Sequence, residues 1–424
     1  MKSNHFIRSI TASFVLAVIF CGINFPLLAQ SSEETPPNFK IAFIGDQGLG
    51  SNARAVLNLI KAEGAQAVIH SGDFDYHDNP AAWEAQINDV LGPDFPYFAC
   101  IGNHDEAKWS GASGYQQFIM NRLMRLGISW DGDLGVKSSF YYKGIFVVQV
   151  APGIMDSGHD AYIQDKLAAD NSLWRICSWH KNMRLMQVGG KEDETGWEVY
   201  EEAREGGAII ATAHEHSYSR TYLLNSIINQ TVASRSDTLD IVMGKTFVFV
   251  SGLGGESIRD QERSGDWWAS VYTSNQGANY GALFGTFNVN GAPNLATFYF
   301  KDIDGVIADS FVVISHVGQV TAVDNPADGV ISGYVLEQNY PNPFNESTMI
   351  RFHIPQTAHT KLTITDLKGR RVLTLFEDDL PAGDQLIRWN GWDRNGVQKL
   401  PSGTYFYRLE SAGQVLTRKL LILK

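Results

Sequence analysis

The sequence predicts an α/β fold with four layers, in which two mixed β-sheets pack face to face between flanking helices, followed by a small all-β sandwich domain. Three observations lead to this prediction. Apolar strands alternate with helices in the first half of the chain, strands dominate after about residue 217, and short strands with Gly-containing turns fill residues 336–424. Alternating strands and helices are typical of parallel βαβ units, whereas closely spaced short strands are typical of a sandwich.

The first part of the chain alternates between buried strands and amphipathic helices. Strands are predicted at Phe39–Ile44, Ala67–Ser71, Tyr97–Ile101, Phe140–Val150, Trp174–Trp179 and Ala208–Ala213. Helices are predicted at Ala53–Glu63, Ala81–Leu91 and Tyr162–Asp170. This order favours parallel pairing of the strands, with the helices outside the sheets.

After this region, further strands are predicted at Thr246–Ser251, Ala282–Val289 and Leu295–Val313. The last segment contains Asp302–Gly305, which is typical of a hairpin turn because it ends in an Asp-Gly pair. In the C-terminal region, short strands are predicted at Met349–Ile354, Lys361–Thr365, Arg371–Leu375, Gln385–Trp389, Thr404–Leu409 and Val415–Ile422. Their spacing is typical of a small sandwich.

The sequence divides into five regions along the chain. They are a signal peptide (1–29), a polar spacer (30–38), a large α/β domain (39–315), a linker (316–335) and a C-terminal β-sandwich domain (336–424). The linker is assigned because its residues lack periodicity and are mostly Gly, Asp, Ala and Val.

The N-terminal region has the three parts of a signal peptide. A positively charged start precedes an apolar stretch, Phe14–Phe20, and Ala29 forms the cleavage end. A transmembrane anchor is the alternative, but Asn24 and Pro26 interrupt the short apolar run. No later segment approaches the ~18 apolar residues of a membrane span, so no transmembrane segment is predicted in the mature protein.

Composition restricts the classes of partner. The 424 residues carry a net charge of −12, and no Lys/Arg run stands out, so no nucleic-acid surface is evident. An acidic protein that acts on an acidic substrate needs local positive charge, and this requirement favours bound metal over a basic surface.

Five segments share one design, in which an apolar strand ends in residues that bind metal ions. They are Gly45–Gly48, Gly72–Tyr76, Gly102–Asp105, Ser178–His180 and His214–His216. Open α/β sheets bind ligands beyond the carboxyl ends of their strands, so all five segments are expected to converge on one rim. Each segment alone has an ordinary explanation as a cap, a turn or a satisfied polar group. Five of them together favour a metal centre.

Residues 39–315 resemble the calcineurin-like metallophosphoesterases and, within them, the purple acid phosphatases. Gly48 stands where many relatives have a histidine, whereas Tyr76 follows Asp73 by three residues, as in the purple branch. The run His214–Arg220 is similar to the last motif of that branch. The resemblance identifies this region as a metallophosphoesterase catalytic domain.

The resemblance implies a centre of two metal ions with seven ligands, namely Asp46, Asp73, Tyr76, Asn103, His180, His214 and His216. The first ion would bind Asp46, Tyr76 and His216, and Asp73 would bridge to the second ion, which takes the remaining three. Two aspartates and an ionised tyrosine supply three negative charges. Because a tyrosine with a pKa of about 10 needs a strong Lewis acid to stay ionised, Fe(III) with Zn, Mn or Fe(II) is favoured.

The resemblance also implies the roles of residues at the substrate. His104 would not bind metal but would be the catalytic residue that stabilises the transition state or protonates the leaving oxygen. Asn103 would position the phosphate as well as bind metal. Trp179, which precedes His180 where relatives have a small aliphatic residue, is expected to reshape the pocket wall. The glycine-rich run Gly252–Glu256 is expected to form a turn beside the site.

The implied activity is the hydrolysis of phosphate esters on a small phosphorylated substrate, with phosphomonoesters favoured, by attack of a metal-bound hydroxide. Two alternatives stay open. One is a phosphodiesterase or nucleotide-cleaving enzyme that uses the same site. The other is a noncatalytic surface-binding module on this scaffold, against which the intact ligand set argues.

The last domain resembles the sorting domain used by type IX secretion. The motifs that carry the resemblance are Asn339–Asn345, Asp366–Arg370, Pro401–Tyr405 and Lys419–Lys424. It implies an exported protein that passes through the periplasm and engages the outer-membrane secretion machinery on its way to the cell surface or medium. A generic immunoglobulin-like accessory domain is the alternative.

Overall fold

The computed structural model describes residues 34–318, 334–336, 339, 342, 344–345, 347–366, 370–392 and 399–422. The predicted signal peptide, the start of the predicted spacer and the central part of the predicted linker lie outside these residues, as do several residues of the sorting motifs. The chain divides into two compact units between residues 320 and 321.

The described part of the first unit contains five α-helices and seventeen strands. The helices are α1 (Ser51–Ala62), α2 (Pro80–Val90), α3 (Tyr115–Arg125), α4 (His159–Ala169) and α5 (Trp197–Glu205). The strands are β1 (Phe39–Ile44), β2 (Ala67–His70), β3 (Tyr97–Ala99), β4 (Trp130–Asp133), β5 (Lys137–Tyr142), β6 (Ile145–Val150), β7 (Trp174–Ser178), β8 (Ile209–Thr212), β9 (Tyr218–Thr221), β10 (Leu223–Ser226), β11 (Thr231–Ser234), β12 (Thr238–Ile241), β13 (Val248–Ser251), β14 (Trp268–Tyr272), β15 (Gly281–Val289), β16 (Ala292–Asp302) and β17 (Ile307–Ser315).

These strands form two large mixed sheets, which confirms the predicted fold class. The seven-stranded sheet has the order β12-β17-β16-β15-β1-β2-β3, and the eight-stranded sheet has the order β14-β9-β13-β8-β7-β6-β5-β4. Parallel pairing is confined to β1-β2-β3 and β12-β17 in one sheet and to β13-β8-β7-β6 in the other. A small hairpin of β10 and β11 lies outside both sheets.

The two sheets bury a common core between them. Phe43 of β1 packs edge-on against Phe249 of β13, with ring centroids 5.3 Å apart. Strand β6 is buried on both faces, because Val147 joins this core while Val148 joins a second cluster with Tyr200 of α5. A strand covered on both faces needs apolar residues throughout, which explains the unbroken apolar runs in the sequence.

One predicted strand, Phe140–Val150, is wrong. The structure has two antiparallel strands there, β5 and β6, joined by Lys143-Gly144, and both of these residues have positive φ angles of 50° and 75°. A two-residue turn with this backbone matches the twist of a hairpin. The predicted turn at Asp304-Gly305 is confirmed, since β16 pairs with β17 across it.

The described part of the second unit is entirely β. It contains β18 (Val335–Leu336), β19 (Thr348–Ile354), β20 (Ala358–Thr365), β21 (Arg371–Leu380), β22 (Gly383–Trp389), β23 (Gly403–Ser411) and β24 (Gln414–Ile422). They form sheets of order β18-β19-β22 and β21-β20-β23-β24. Side chains of both sheets, such as Phe352 and Tyr407, share one buried cluster.

Among the helices of the described residues, none combines the length and the apolar character that a bilayer crossing requires.

Candidate metal centre

The predicted ligands follow the carboxyl ends of parallel strands from both sheets. Asp46, Asp73 and Asn103 come after β1, β2 and β3. His180 and His214 come after β7 and β8 in the facing sheet. Neighbouring parallel strands end at the same edge of a sheet, so the polar residues that follow them lie along one edge of each sheet. Because the two sheets pack face to face, these two edges lie close together.

One group of donors is formed by three of the predicted ligands. The hydroxyl of Tyr76 lies 2.9 Å from Oδ1 of Asp46 and 3.1 Å from Nε2 of His216, and these last two atoms are 3.3 Å apart. This group offers a carboxylate oxygen, a phenol oxygen and an imidazole nitrogen. Such donors suit a hard or borderline metal cation.

A second group lies around Asp73. Its Oδ2 is 3.1 Å from Nε2 of His180, and that nitrogen is 3.0 Å from Nδ1 of His214. One donor atom from each of the three residues lies within 4.8 Å of the others. The side-chain oxygen of Asn103 is buried without a hydrogen-bond partner. Buried polar atoms normally have a partner, so this oxygen is suited to bind a cation.

Contacts outside the centre fix the ring of each histidine. Nδ1 of His180 donates to the carbonyl of Ser71 at 2.7 Å, and Nε2 of His214 donates to Glu194 at 2.7 Å. Nδ1 of His216 is hydrogen-bonded to the Ser257 hydroxyl. In each ring the other nitrogen faces the centre, which is the arrangement found around metal-binding histidines. The residues present therefore fit a metal centre.

Asp105 holds the loop that carries two of the ligands. Its buried carboxylate accepts hydrogen bonds from the backbone N–H groups of Asp73 and Phe74 at 2.9 Å each and from Gly102 at 2.7 Å. Burial and the charge of Asp73 raise the pKa of the Asp105 carboxyl well above its usual range. These bonds fix the backbone on both sides of the centre.

The backbone of the site is held in an uncommon conformation. Asp46, Asp73, Tyr76 and His214 have φ angles of 57°, 60°, 58° and 68°. Non-glycine residues in this region cost on the order of 1–3 kcal/mol each, and they cluster at functional sites. Four of the seven predicted ligands share this feature.

Negative charge dominates the electrostatics of the group around Tyr76. Burial, followed by the charges of Asp46 and Asp73, raises the pKa of the Tyr76 hydroxyl far above its ordinary value. In the second group, burial disfavours a charged His180, but Asp73 and Asp46 outweigh it and raise the pKa of His180 to about 9. Both effects show a site that attracts cations.

His104 lies beside the donor groups. Its backbone N–H donates to Oδ1 of Asp73 at 2.9 Å, and its exposed ring is 4.6 Å from the ring of Tyr76. The glycine-rich turn also lies at the site, because Glu256 N donates to the carbonyl of Asp46 at 3.1 Å. Trp179 instead packs in the core on the helix side of the second sheet, against Tyr200, so the expectation that it shapes the pocket wall is wrong.

Four residues at the site were not predicted. They are Lys191 and Glu194, on the loop segment between β7 and α5, and Ser257 and Arg259, on the loop between β13 and β14. Lys191 and Glu194 belong to one polar loop segment, and this polarity was the only signal in the sequence.

Comparisons with known proteins agree with these observations. Residues 39–218 match the calcineurin-like phosphoesterase family, and residues 338–423 match the secretion system C-terminal sorting domain. The chain therefore contains a calcineurin-like phosphoesterase domain, which includes all seven predicted ligands, and a C-terminal sorting domain. The sorting domain indicates export through type IX secretion to the cell surface or extracellular space and an interaction with that machinery.

Solved structures are similar to this chain over more than two thirds of its length. The purple acid phosphatase PPD1 from yellow lupin (Lupinus luteus) seeds aligns with a TM-score of 0.50 and 16% identity over 68% of this chain and 55% of that chain. The structure of PhoD aligns with a TM-score of 0.45 and 11% identity over 72% and 74% of the two chains. The chain thus spans about half the length of the lupin protein. No curated protein matches the chain significantly.

Proposed function

We propose that this protein is an exported phosphatase that hydrolyses phosphate esters, with phosphomonoesters favoured, at a centre of two metal ions. The observation that carries the proposal is that six donor side chains meet in two groups within the phosphoesterase domain, namely Asp46, Tyr76 and His216, and Asp73, His180 and His214. The fixed outer nitrogen of each histidine supports it, because such contacts prepare a ring to bind a cation.

Two groups of residues would hold the two ions. Asp46, Tyr76 and His216 would hold the first, since their donor atoms lie within 3.3 Å of one another. Asn103, His180 and His214 would hold the second. Asp73 would be shared by both, which is consistent with its contact to His180 and its electrostatic effect on Tyr76.

The composition of the first group favours iron. Burial and two carboxylates oppose ionisation of the Tyr76 hydroxyl, so only a strong Lewis acid makes it a phenolate ligand. We assign Fe(III) to this position and a divalent ion, Zn, Mn or Fe(II), to the other.

The chain's own residues complete the chemistry. When bound, the two ions neutralise the phosphate oxygens and activate water for attack on phosphorus. Asn103 binds metal through its oxygen, which leaves its amide N–H groups to donate to the phosphate. His104 stands exposed beside Tyr76 and transfers a proton to the leaving ester oxygen, which departs as the alcohol.

Metal analysis, a visible absorption spectrum and a panel of monoesters and diesters test this proposal. We expect two ions per chain, iron among them, a tyrosinate-to-iron absorption band and faster turnover of monoesters. Tyr76→Phe should bleach the band, and Asp73→Asn should abolish activity and remove at least one ion. A colourless, iron-containing, active enzyme would contradict the tyrosine assignment. Faster turnover of diesters would favour the phosphodiesterase alternative.

A further inference from the structure

Two cationic side chains lie at the donor groups without belonging to them. Nζ of Lys191 is 3.5 Å from Nδ1 of His214, the nitrogen that faces the centre. The guanidinium of Arg259 donates from Nη1 to the carbonyl of His214 at 3.2 Å, and its Nη2 is 3.4 Å from Nε2 of His216. Together the two cations contact a histidine of each donor group.

Their backbone positions are fixed while their charged ends stay accessible. The backbone N–H of Arg259 donates to the carbonyl of His216 at 2.9 Å, and the buried Gln187 donates to the carbonyl of Lys191 at 2.6 Å. The Arg259 side chain is 38% exposed and Lys191 is half-buried. Both groups therefore line the side of the centre that is open to solvent.

The chain as a whole is acidic, with a net charge of −12. Positive charge held this close to a cation-binding centre is electrostatically unfavourable, and an anion that contacts both removes the cost. A guanidinium offers a fork of donors to phosphate oxygens, and an ammonium offers a point charge.

We propose that Lys191 and Arg259 bind the phosphate group of the substrate and give the site its preference for a monoester dianion over a diester monoanion. This inference rests on the proposed phosphatase function. A phosphomonoester carries about −1.5 to −2 charges at neutral pH, and a diester carries one fewer ionisable oxygen. Two cations beside the metal ions favour the more highly charged group.

The test uses Lys191→Gln, Arg259→Gln and the double variant of the full chain. Lys191→Gln is the cleaner single change, because Arg259 also pairs with the buried Glu215 at 3.4 Å. Lys245→Gln, at an exposed lysine outside the centre, is the matched control. The readouts are metal content, calorimetric binding of inorganic phosphate, and kcat and KM for a monoester and a diester.

We expect each single variant to keep both ions and to bind phosphate about tenfold more weakly, the loss typical of one charge-assisted hydrogen bond. The KM for the monoester should rise more than that for the diester, and Lys245→Gln should change neither. Unchanged phosphate binding in the double variant would overturn the inference, and so would loss of metal in Lys191→Gln. If the wild-type protein cleaves neither ester but the variants still bind phosphate more weakly, the proposed function fails and the role of these cations stands.

Discussion

The contact between Glu194 and His214 shows how one residue outside the centre prepares another inside it. Burial opposes ionisation of Glu194, but the hydrogen bond from His214 and the nearby Lys181 and Lys191 lower its pKa to about 2. The carboxylate therefore accepts the hydrogen of Nε2 at neutral pH and leaves Nδ1 directed at Asp73 and His180. A carboxylate in this position also makes the ring a stronger ligand.

Replacing this carboxylate should weaken the centre without unfolding the protein. We expect Glu194→Gln to lower metal affinity by ~10–100-fold, as is typical for partners of metal-binding histidines. Competition with a chelator measures the change. Glu192→Gln is the control, because that side chain is 74% exposed and pairs with Arg263. Equal affinity in the two variants would show that the Glu194 contact has no role in metal binding.

His104 should affect rate but not metal content. Its ring is exposed and lies 4.6 Å from the ring of Tyr76 in a tilted arrangement, so His104→Ala removes no donor atom from either group. We expect turnover to fall by ~10²–10⁴-fold, most for esters with poor leaving groups, because general acid catalysis is lost. Metal analysis and a leaving-group series measure this, with exposed His359→Ala as the control. If His104→Ala loses metal, but the molecules that retain both ions turn over at nearly the normal rate, His104 is a metal ligand and not the catalytic acid.

The sequence pattern anticipated that six of the proposed ligands lie close together, but it did not anticipate the residues around them. Each predicted ligand lies on a short segment after an apolar strand, so its position could be inferred from the local pattern. Glu194 and Arg259 reach the histidines only because long loops fold back over the rim. Such contacts depend on tertiary structure, and no local periodicity reports them.

The loops after β2 and β3 approach each other so closely that only glycine fits at positions 72 and 102. A Cβ atom on Gly102 would lie 2.1 Å from Oδ1 of Asp73, and one on Gly72 would lie 2.9 Å from Cγ of His180. Real Cβ atoms do not tolerate such distances, so the two glycines allow the ligand loops of neighbouring strands to share one site.

This packing leads to a prediction for Gly102→Ala. The added methyl group should displace Asp73, so we expect reduced metal content, strongly reduced activity and a lower melting temperature. Metal analysis, an ester assay and thermal unfolding measure the three effects. Gly50→Ala is the control, because a Cβ there meets nothing within 4 Å. Normal metal content in Gly102→Ala would show that the loop relaxes and that the close approach is not required.

Element prediction succeeded where burial leaves a strong pattern and failed where it does not. The parallel strands β1, β2, β7 and β8 are rich in apolar residues and almost entirely buried, because both faces of each strand are covered. Strands β10, β11 and β12 are short and partly exposed, and β9 is buried but contains the polar residues Ser219, Arg220 and Thr221, so none of the four shows a strong apolar pattern. The turn at Lys143-Gly144 was not predicted because the apolar residues before and after it read as one continuous strand.

At the scale of the whole molecule, each unit has its own hydrophobic core. In the first unit the core lies between the two large sheets, and in the second it lies between the two small sheets around residues such as Ile350, Leu362 and Leu409. All seven predicted ligands belong to the first unit, and the only metal-binding cluster found among the described residues lies there. The matched sorting domain, residues 338–423, lies in the second.

This division predicts that the two units carry separable functions. Deleting residues 336–424 should leave phosphatase activity and the melting temperature of the remaining protein nearly unchanged, since it removes no side chain from the first core. The same deletion should retain the protein in the periplasm, because the sorting domain is gone.

Fractionation of cells that express the truncated or the full-length form, with an assay of each compartment, measures both effects. We expect active enzyme in the periplasm for the truncated form and at the surface or in the medium for the full-length form. Truncated enzyme that reaches the medium at full yield would contradict the sorting role. Truncated enzyme that is present but inactive would mean that the sandwich stabilises the phosphoesterase domain, so the free energy of unfolding of the two cores would be coupled rather than independent.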